Sequence, residues 1–451
     1  MPASLRFVDL FAGLGGFHQA LTALGHRCVF ACEIDDELAK IYKKNFGIDP
    51  HRDIRQSFKK VPAHDILCAG FPCQPFSKAG DQLGFDCPQW GDLFEYVVKI
   101  LQRHKPRYLL IENVPNLLRH DDGKTWDLVR DTLGRAGYLI DFARLSPHMF
   151  GVPQIRERAL IVGDRYGLSS FQWPEPTHTP AQVSLTTILD KKPAGARALT
   201  DAAIKYIDTW QSLISKLPKK EPLPSFPIWA MEFRGTYPLD GRPPALRSSK
   251  ELSRFKGSLG QSLKEMRKRE QMALLPSYAR STRKFPDWKI QFIEQNRAFY
   301  RKHRKAIDAW LPSIRDFAPS FQKLEWNWQD GPRDLWKTVI QFRASGIRAK
   351  RPNAAPSLVA LTTSQVPIIP WERRYMTMRE CARLQSMGGL KHLPKTQTSA
   401  YKALGNAVNV AVIKALAKRL VRDEPRVVAL KVSTKKRRRQ RVVRGNLARA
   451  A

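Results

Sequence analysis

The run Leu5 to Phe11, followed by Ala12-Gly13-Leu14-Gly15-Gly16 and then Phe17 to Leu24, narrows the possible folds most. Leu5 to Phe11 is short and apolar, with Val8 and Leu10 among its residues, and reads as a buried strand. The glycines make a tight turn, and Phe17 to Leu24 continues with helical spacing. Strand, glycine turn and helix in direct succession let an α/β fold bring a nucleotide-like ligand against backbone and a helix N-terminus. The spacing is not G-x-G-x-x-G, so the dinucleotide fingerprint fails and a nicotinamide dehydrogenase drops to the back.

The alternation continues. Cys28 to Glu33 reads as a second strand, Asp36 to Asn45 as a helix, and Arg52-Asp53-Ile54 as the end of a third short strand. Asp65-Ile66-Leu67-Cys68-Ala69 is a buried strand, Asp92 to Gln102 an amphipathic helix, and Tyr108 to Ile111 another buried strand. Trp126 to Ala136 is helical, Tyr138 to Leu145 a strand, and Gln154 to Gly163 a strand that starts polar and turns apolar. Strands alternating with helices predict an open α/β sheet, which binds ligands at the carboxyl ends of its strands.

The chemistry-bearing residues cluster at those ends. Gly70, Pro72 and Pro75 stop a strand and stiffen the loop around Cys73, which reads as a positioned nucleophile. Glu33, twenty residues after Gly13, can accept from ribose hydroxyls, and Asp53 from an adenine amino group. Glu112 ends an apolar strand, where desolvation favours a protonated carboxyl able to donate. On one strand, Gln154, Arg156 and Arg158 would share a face suited to phosphate and polar base edges. Each has a plainer reading: a small buried thiol, a surface glutamate, a loop acid, a capping acid, a solvated charged edge.

Charge separates the chain into two parts. There are 77 Lys+Arg against 41 Asp+Glu, a formal charge of +36. Residues 1–170 hold 22 basic and 20 acidic side chains, so nearly all the excess falls on 171–451. A near-neutral unit joined to a very basic one points to catalysis coupled to polyanion binding. The six cysteines, Cys28, Cys32, Cys68, Cys73, Cys87 and Cys381, show no zinc spacing and no disulfide framework, which points to a reducing cytosol. No stretch approaches the length of a membrane span and no secretory pattern opens the chain. Among Trp310, Trp326, Trp328 and Trp336, most read as core of a small domain. Gln341-Phe342-Arg343 and Arg348-Ala349-Lys350-Arg351 are better candidates for contacts to a nucleic acid. Lys264 to Glu270 and Arg297 to Trp310 read as basic helices, and Lys435 to Arg439 as part of a disordered basic tail.

Six stretches in order carry a resemblance. They are Phe11-Ala12-Gly13-Leu14-Gly15-Gly16, Gly70-Phe71-Pro72-Cys73-Gln74, Glu112-Asn113-Val114, Gln154-x-Arg156-x-Arg158, Arg379-Glu380-Cys381-Ala382-Arg383-Leu384-Gln385 and Tyr401-x-x-Leu404-Gly405-Asn406-Ala407-Val408. Together they resemble the DNA (cytosine-5)-methyltransferase family of bacterial restriction-modification systems. Two departures stand out: Trp90 occupies a position where the family often has arginine, and Ser357-Leu358 stands for its usual Thr-Leu pair.

The resemblance implies an α/β fold: a doubly wound Rossmann-like S-adenosylmethionine-dependent methyltransferase domain with an inserted smaller target-recognition domain. It places the catalytic domain at 1–170, the recognition domain at 171–375, a return segment at 376–421 and the tail at 422–451. It implies a Cys73 thiolate adding to cytosine carbon-6, with Glu112, Asn113, Gln154, Arg156 and Arg158 around the base. It places the cofactor against Phe11, Ala12, Gly13, Gly15, Gly16, Glu33, Ile34, Asp53, Ile54, Pro72, Asn406 and Val408. DNA contacts fall to Gln74, Ser77, Arg343, Arg348, Lys350, Arg351 and Ser357. The expected protein is a monomer on duplex DNA in the bacterial cytoplasm, associated with the nucleoid. It carries no metal and works beside a separate restriction endonuclease, since no long regulatory region precedes Leu5. An RNA cytosine methyltransferase and an inactive DNA-binding relative are the alternatives.

Overall fold

The structure, a computed structural model, describes residues 4–72, 92–358 and 363–421. Cys73, Gln74, Ser77, Cys87, Trp90 and the basic tail lie outside the described residues. The first half builds β1 (Arg6–Leu10), β2 (Arg27–Cys32), β3 (Ile66–Ala69), β4 (Tyr108–Asn113), β5 (Leu139–Leu145), β6 (Gln154–Ile155) and β7 (Arg158–Asp164). Six of these form one sheet in the order β2-β1-β3-β4-β7-β5. β1 to β4 run parallel, and β7 is antiparallel to both β4 and β5.

The central strands are buried on both faces, as parallel strands between helix layers must be. Alternate residues therefore feed two cores. Phe7, Ile66, Cys68, Tyr108 and Leu110 join the helices Gly16–Thr22 and Val410–Leu420. Val8, Leu10, Leu67, Ala69, Leu109 and Ile111 join the helices Leu93–His104 and Lys124–Arg135. Each large apolar side chain so buried contributes about 1.5–3 kcal/mol. The chain winds outward in opposite directions from β1, through β2 on one side and β3 on the other. That reversal leaves a crevice beyond the strands' carboxyl ends.

The second half supplies β8 (Ile228–Trp229), β9 (Lys323–Asn327), β10 (Val339–Arg343), β11 (Gly346–Lys350), β12 (Ala355–Pro356), β13 (Ile368–Ile369) and β14 (Arg374–Tyr375). Their sheet has the order β14-β13-β10-β11-β9-β8. β12 instead pairs in parallel with β6, Ala355 opposite Gln154, which ties the two halves together. Trp310 and Trp326, 2% and 3% exposed, belong to the core here, as the sequence suggests for most of these tryptophans.

Three local expectations change. Gln154 to Gly163 is not one strand: it breaks at Arg156-Glu157, because the Arg156 backbone N–H donates to Ser146 Oγ at 2.9 Å rather than to a strand partner. Asp53 does not end a strand. It caps the helical turn Ile54–Ser57, its carboxylate accepting the Arg55 N–H at 2.9 Å, and only a single bridge pairs His51 with Cys32. The helix expected from Lys264 begins only at Lys268 and ends at Ala273, since Glu265 sits at φ 57°.

Close packing holds the return segment against the glycine turn. A Cβ built on Gly16 would stand 2.4 Å from the Val408 carbonyl oxygen, with backbone on both sides of the contact. Gly16→Ala should therefore lose about 1–3 kcal/mol in urea unfolding. A variant of unchanged stability would contradict this packing.

Candidate active site

At the carboxyl edge of the first sheet a cleft of about 360 Å³ opens between the glycine turn, the ends of β2, β3 and β4, and the helix Gln397–Asn406. Phe11, Gly13 and Gly15 have φ of 59°, 52° and 76°, so the backbone turns sharply and exposes peptide groups to the cleft. The turn is fastened to β2 by Ala12 N–H donating to Cys32 O at 2.9 Å and Gly13 N–H donating to Glu33 Oε2 at 2.7 Å. Glu33 Oε1 accepts the Asp35 N–H at 2.9 Å. Burial pushes the Glu33 carboxyl up, and those two N–H groups oppose the push. Each oxygen keeps a second lone pair, so Glu33 can still accept from a hydroxyl in the cleft.

Behind the turn lies an uncharged support. Burial lifts Asp9 to about 8 and lowers His18 to about 4. Tyr42 joins them, its hydroxyl 2.7 Å from His18 Nδ1 and donating to Asp9 Oδ2 at 3.3 Å.

The opposite wall comes from β4. Glu112 is its penultimate residue, 8% exposed, facing the cleft and paired with Arg158 Nε at 2.9 Å. Burial raises the Glu112 carboxyl, and the guanidiniums of Arg158 and Arg156 hold that rise back. Asn113 is buried and donates from Nδ2 to Phe71 O at 3.2 Å, fixing the chain as it leaves β3. Gln154 is fully buried, and neither side-chain polar atom has a hydrogen-bond partner among the described residues.

Arg156 reaches two distant segments at once. Its Nη2 donates to Gly405 O at 2.7 Å and Ala407 O at 3.3 Å, and its Nη1 to Ser357 Oγ and Leu358 O, both at 3.2 Å. This guanidinium is committed to the protein's own groups and fixes Asn406, which lines the cleft between two of them.

Of the residues assigned to a cofactor, Phe11, Ala12, Gly13, Gly16, Glu33, Ile34, Pro72, Asn406 and Val408 line the cleft, whereas Gly15, Asp53 and Ile54 stand outside its lining. Ile34 projects into it with 51% of its surface exposed, an apolar wall for a planar ring. The cleft thus fits an adenosine-bearing ligand: exposed backbone, a carboxylate and an apolar face. Asp35, Glu37, Ser399 and Lys402 also line it and were not assigned. Helical spacing could have found two of them, because 399, 402 and 406 share one face of their helix.

The described cysteines are poor nucleophiles. Burial lifts Cys28 and Cys32 to about 12 and holds Cys68 and Cys381 well above the ordinary thiol range. Among the described residues no group of three or more His, Cys, Asp or Glu could hold a metal ion, and no helix is long and apolar enough to cross a membrane.

Of the expected DNA contacts, Arg343, Arg348 and Lys350 lie on the second sheet, Arg351 just beyond β11 and Ser357 just beyond β12. Ile340, Phe342, Ile347, Ala349, Leu324 and Trp326 of β9 to β11 enter the core, so Gln341, Arg343, Arg348, Lys350 and Glu325 share the other face. Arg348 Nε meets Glu325 Oε2 at 2.6 Å, and Arg351 meets Asp330 at 2.5 Å. Burial and the charges of Arg348 and Arg343 hold the Lys350 ammonium below its usual value. Gln341 Nε2 donates to Gln365 O at 2.7 Å and Ser357 O at 3.4 Å, so this face adjoins the Arg156 cluster.

A family model described as C-5 cytosine-specific DNA methylase matches residues 5–422. The chain is 32% identical to Type II methyltransferase M.AluI of Cellulosimicrobium cellulans, covering 95% of this chain and 94% of that protein. It is 28% identical to Type II methyltransferase M.HgiBI of Herpetosiphon aurantiacus over 92% and 96% of the two chains. Identity to Type II methyltransferase M.HhaI of Haemophilus parahaemolyticus is 43%, over 38% of this chain and 53% of that one.

Proposed function

Since the chain belongs to the C-5 cytosine-specific DNA methylases, we propose a mechanism in which Cys73 attacks a flipped cytosine and Glu112 manages the proton at ring nitrogen-3. The protein is a DNA (cytosine-5-)-methyltransferase of Rossmann-like fold. S-adenosylmethionine, when bound, supplies the methyl group. Residues of the glycine turn, Glu33, Ile34, Asn406 and Val408 would hold it, on the strength of the cleft they line.

The observation that carries the residue roles is Glu112, buried at the cleft and paired with Arg158 at 2.9 Å. Cytosine carbon-5 is a poor nucleophile until a thiolate adds to carbon-6. The four described cysteines are all held as thiols, and of the remaining two, Cys73 and Cys87, the motif resemblance makes Cys73 our nucleophile. As the Cys73 sulfur bonds to carbon-6, negative charge gathers on the ring. Glu112 relieves it by donating at nitrogen-3, and Arg158 holds the Glu112 carboxyl in place. Carbon-5 then takes the methyl group, a base removes the carbon-5 proton, and Cys73 leaves. Asn113 and Gln154 shape the pocket. Extruding the base costs about a few kcal/mol, which a basic recognition domain at 171–375 offsets through phosphate contacts. We place the return segment at 376–421.

We further propose that the protein is the modification partner of a separate endonuclease, as its Type II relatives suggest. It would act as a monomer on duplex DNA in the bacterial cytoplasm.

The test is DNA from expressing cells, sequenced with a readout for 5-methylcytosine, for the wild type and Cys73→Ser. The wild type should methylate cytosine in one sequence context, and Cys73→Ser should methylate none. A serine variant with full methyl transfer would remove the thiolate mechanism. In parallel, S-adenosylmethionine at a hundredfold excess over Kd should stabilise the protein by about 2.7 kcal/mol, and a nicotinamide dinucleotide should not.

A further inference from the structure

A carboxylate stands in the middle of the basic face of the second sheet. Glu325 lies on β9 directly opposite Arg348 of β11, which lies opposite Gln341 of β10, so the three form one row across three strands. Arg348 Nε meets Glu325 Oε2 at 2.6 Å, and Arg343 Nη1 stands 3.9 Å from Glu325 Oε1. The Glu325 side chain is only 17% exposed. On the reverse of these strands Ile347, Ala349 and Leu324 are fully buried, so the row cannot roll.

A face built only to attract phosphate gains nothing from a carboxylate. Glu325 repels the DNA backbone and cancels much of the Arg348 charge, which weakens nonspecific attraction. It leaves something else intact. With Nε taken by Glu325, no hydrogen bond among the described residues engages Nη1 or Nη2 of Arg348. Those two amino groups form the planar end of the guanidinium, the fork that matches two acceptors side by side. In the major groove a guanine presents such a pair, O6 and N7. Gln341 adds a stiff edge to the row, its amide nitrogen held by the carbonyls of Gln365 and Ser357.

On the reading that the substrate is duplex DNA, we propose that Arg348 reads one guanine of the recognition sequence and that Glu325 is the positioning residue that aims it. The contact sets base choice at a single position rather than overall affinity.

The experiment uses the purified full-length protein, S-adenosylmethionine and a duplex library randomised around a cytosine, with methylation read by sequencing. The wild type should require guanine at one position. Arg348→Lys keeps the charge and loses the fork, so preference there should fall about 10- to 100-fold while the other positions hold. Glu325→Ala should relax the same position, because the guanidinium loses its anchor. Glu325→Gln still offers an oxygen to Nε and should keep most of the preference, a rescue that a role through charge alone would not give; a merely structural role would not confine the Glu325→Ala effect to the one position that Arg348→Lys relaxes. Retention of the melting shift with S-adenosylmethionine shows that each variant is folded; should Glu325→Ala fail that check, Arg348→Lys and Glu325→Gln decide. Uniform loss across all sequences would mean a phosphate contact and overturn the proposal, as would unchanged preference. Glu325→Gln behaving like Glu325→Ala would overturn the aiming role. A wild type that methylates no cytosine at all would overturn the parent reading instead.

Discussion

Glu112→Gln should slow methyl transfer by about 10²- to 10⁴-fold, the range for losing a positioned proton donor, with the melting shift on S-adenosylmethionine intact. The amide can still offer an N–H to a ring nitrogen, so binding of the base survives. What it cannot do is give up a proton as charge accumulates. A quench-flow measurement of the first turnover isolates the chemical step. A loss that appeared only as a weaker Kd for DNA would contradict the assigned role.

The pH dependence follows from the same environment. Burial raises the Glu112 carboxyl above its ordinary range, and Arg158 and Arg156 limit the rise. A raised carboxyl stays protonated to higher pH than a solvated one and loses its donor as pH climbs through that raised value. The wild-type rate should therefore carry an alkaline decline assigned to Glu112. Glu112→Gln does not titrate there, so its residual rate should lack that limb. Arg158→Lys offers one compact charge in place of Nε at 2.9 Å and should move the limb without erasing it.

The parts legible beforehand are those specified by contiguous residues. Short apolar runs such as Ile66–Ala69 and Tyr108–Asn113 are buried on both faces, so their hydrophobicity is continuous and local. The glycine turn announces itself because only a few backbone conformations join a strand to a helix that tightly. The second sheet was opaque for the opposite reason. Ile228–Trp229, Ala355–Pro356, Ile368–Ile369 and Arg374–Tyr375 are too short to show a period of two, and their pairing is decided by contacts far along the chain. Glu325 passed unnoticed because only the strand register puts it beside Arg348. The expected face of Gln154, Arg156 and Arg158 failed because it assumed one strand, whereas Arg156 is drawn to partners 201 to 251 residues away.

Arg156→Met should be strongly destabilising, costing about 3–5 kcal/mol in urea unfolding, the scale for breaking a buried charged network by removing one member. The side chain is 2% exposed and donates to Gly405, Ala407 and Leu358 carbonyls as well as the Ser357 hydroxyl. Methionine keeps the apolar stem but is shorter and donates nothing, so those buried acceptors lose a partner that the interior cannot replace. Arg156→Lys can satisfy fewer of them and should fall between the two. The consequence reaches the site, because Asn406 lies between Gly405 and Ala407 and lines the cleft. Molecules of Arg156→Met that remain folded should bind S-adenosylmethionine more weakly, whereas Glu112→Gln should not. That contrast separates a residue that assembles the cleft from one that works inside it. An Arg156→Met protein of wild-type stability with a lost chemical step would reverse the two roles and return Arg156 to the reacting base.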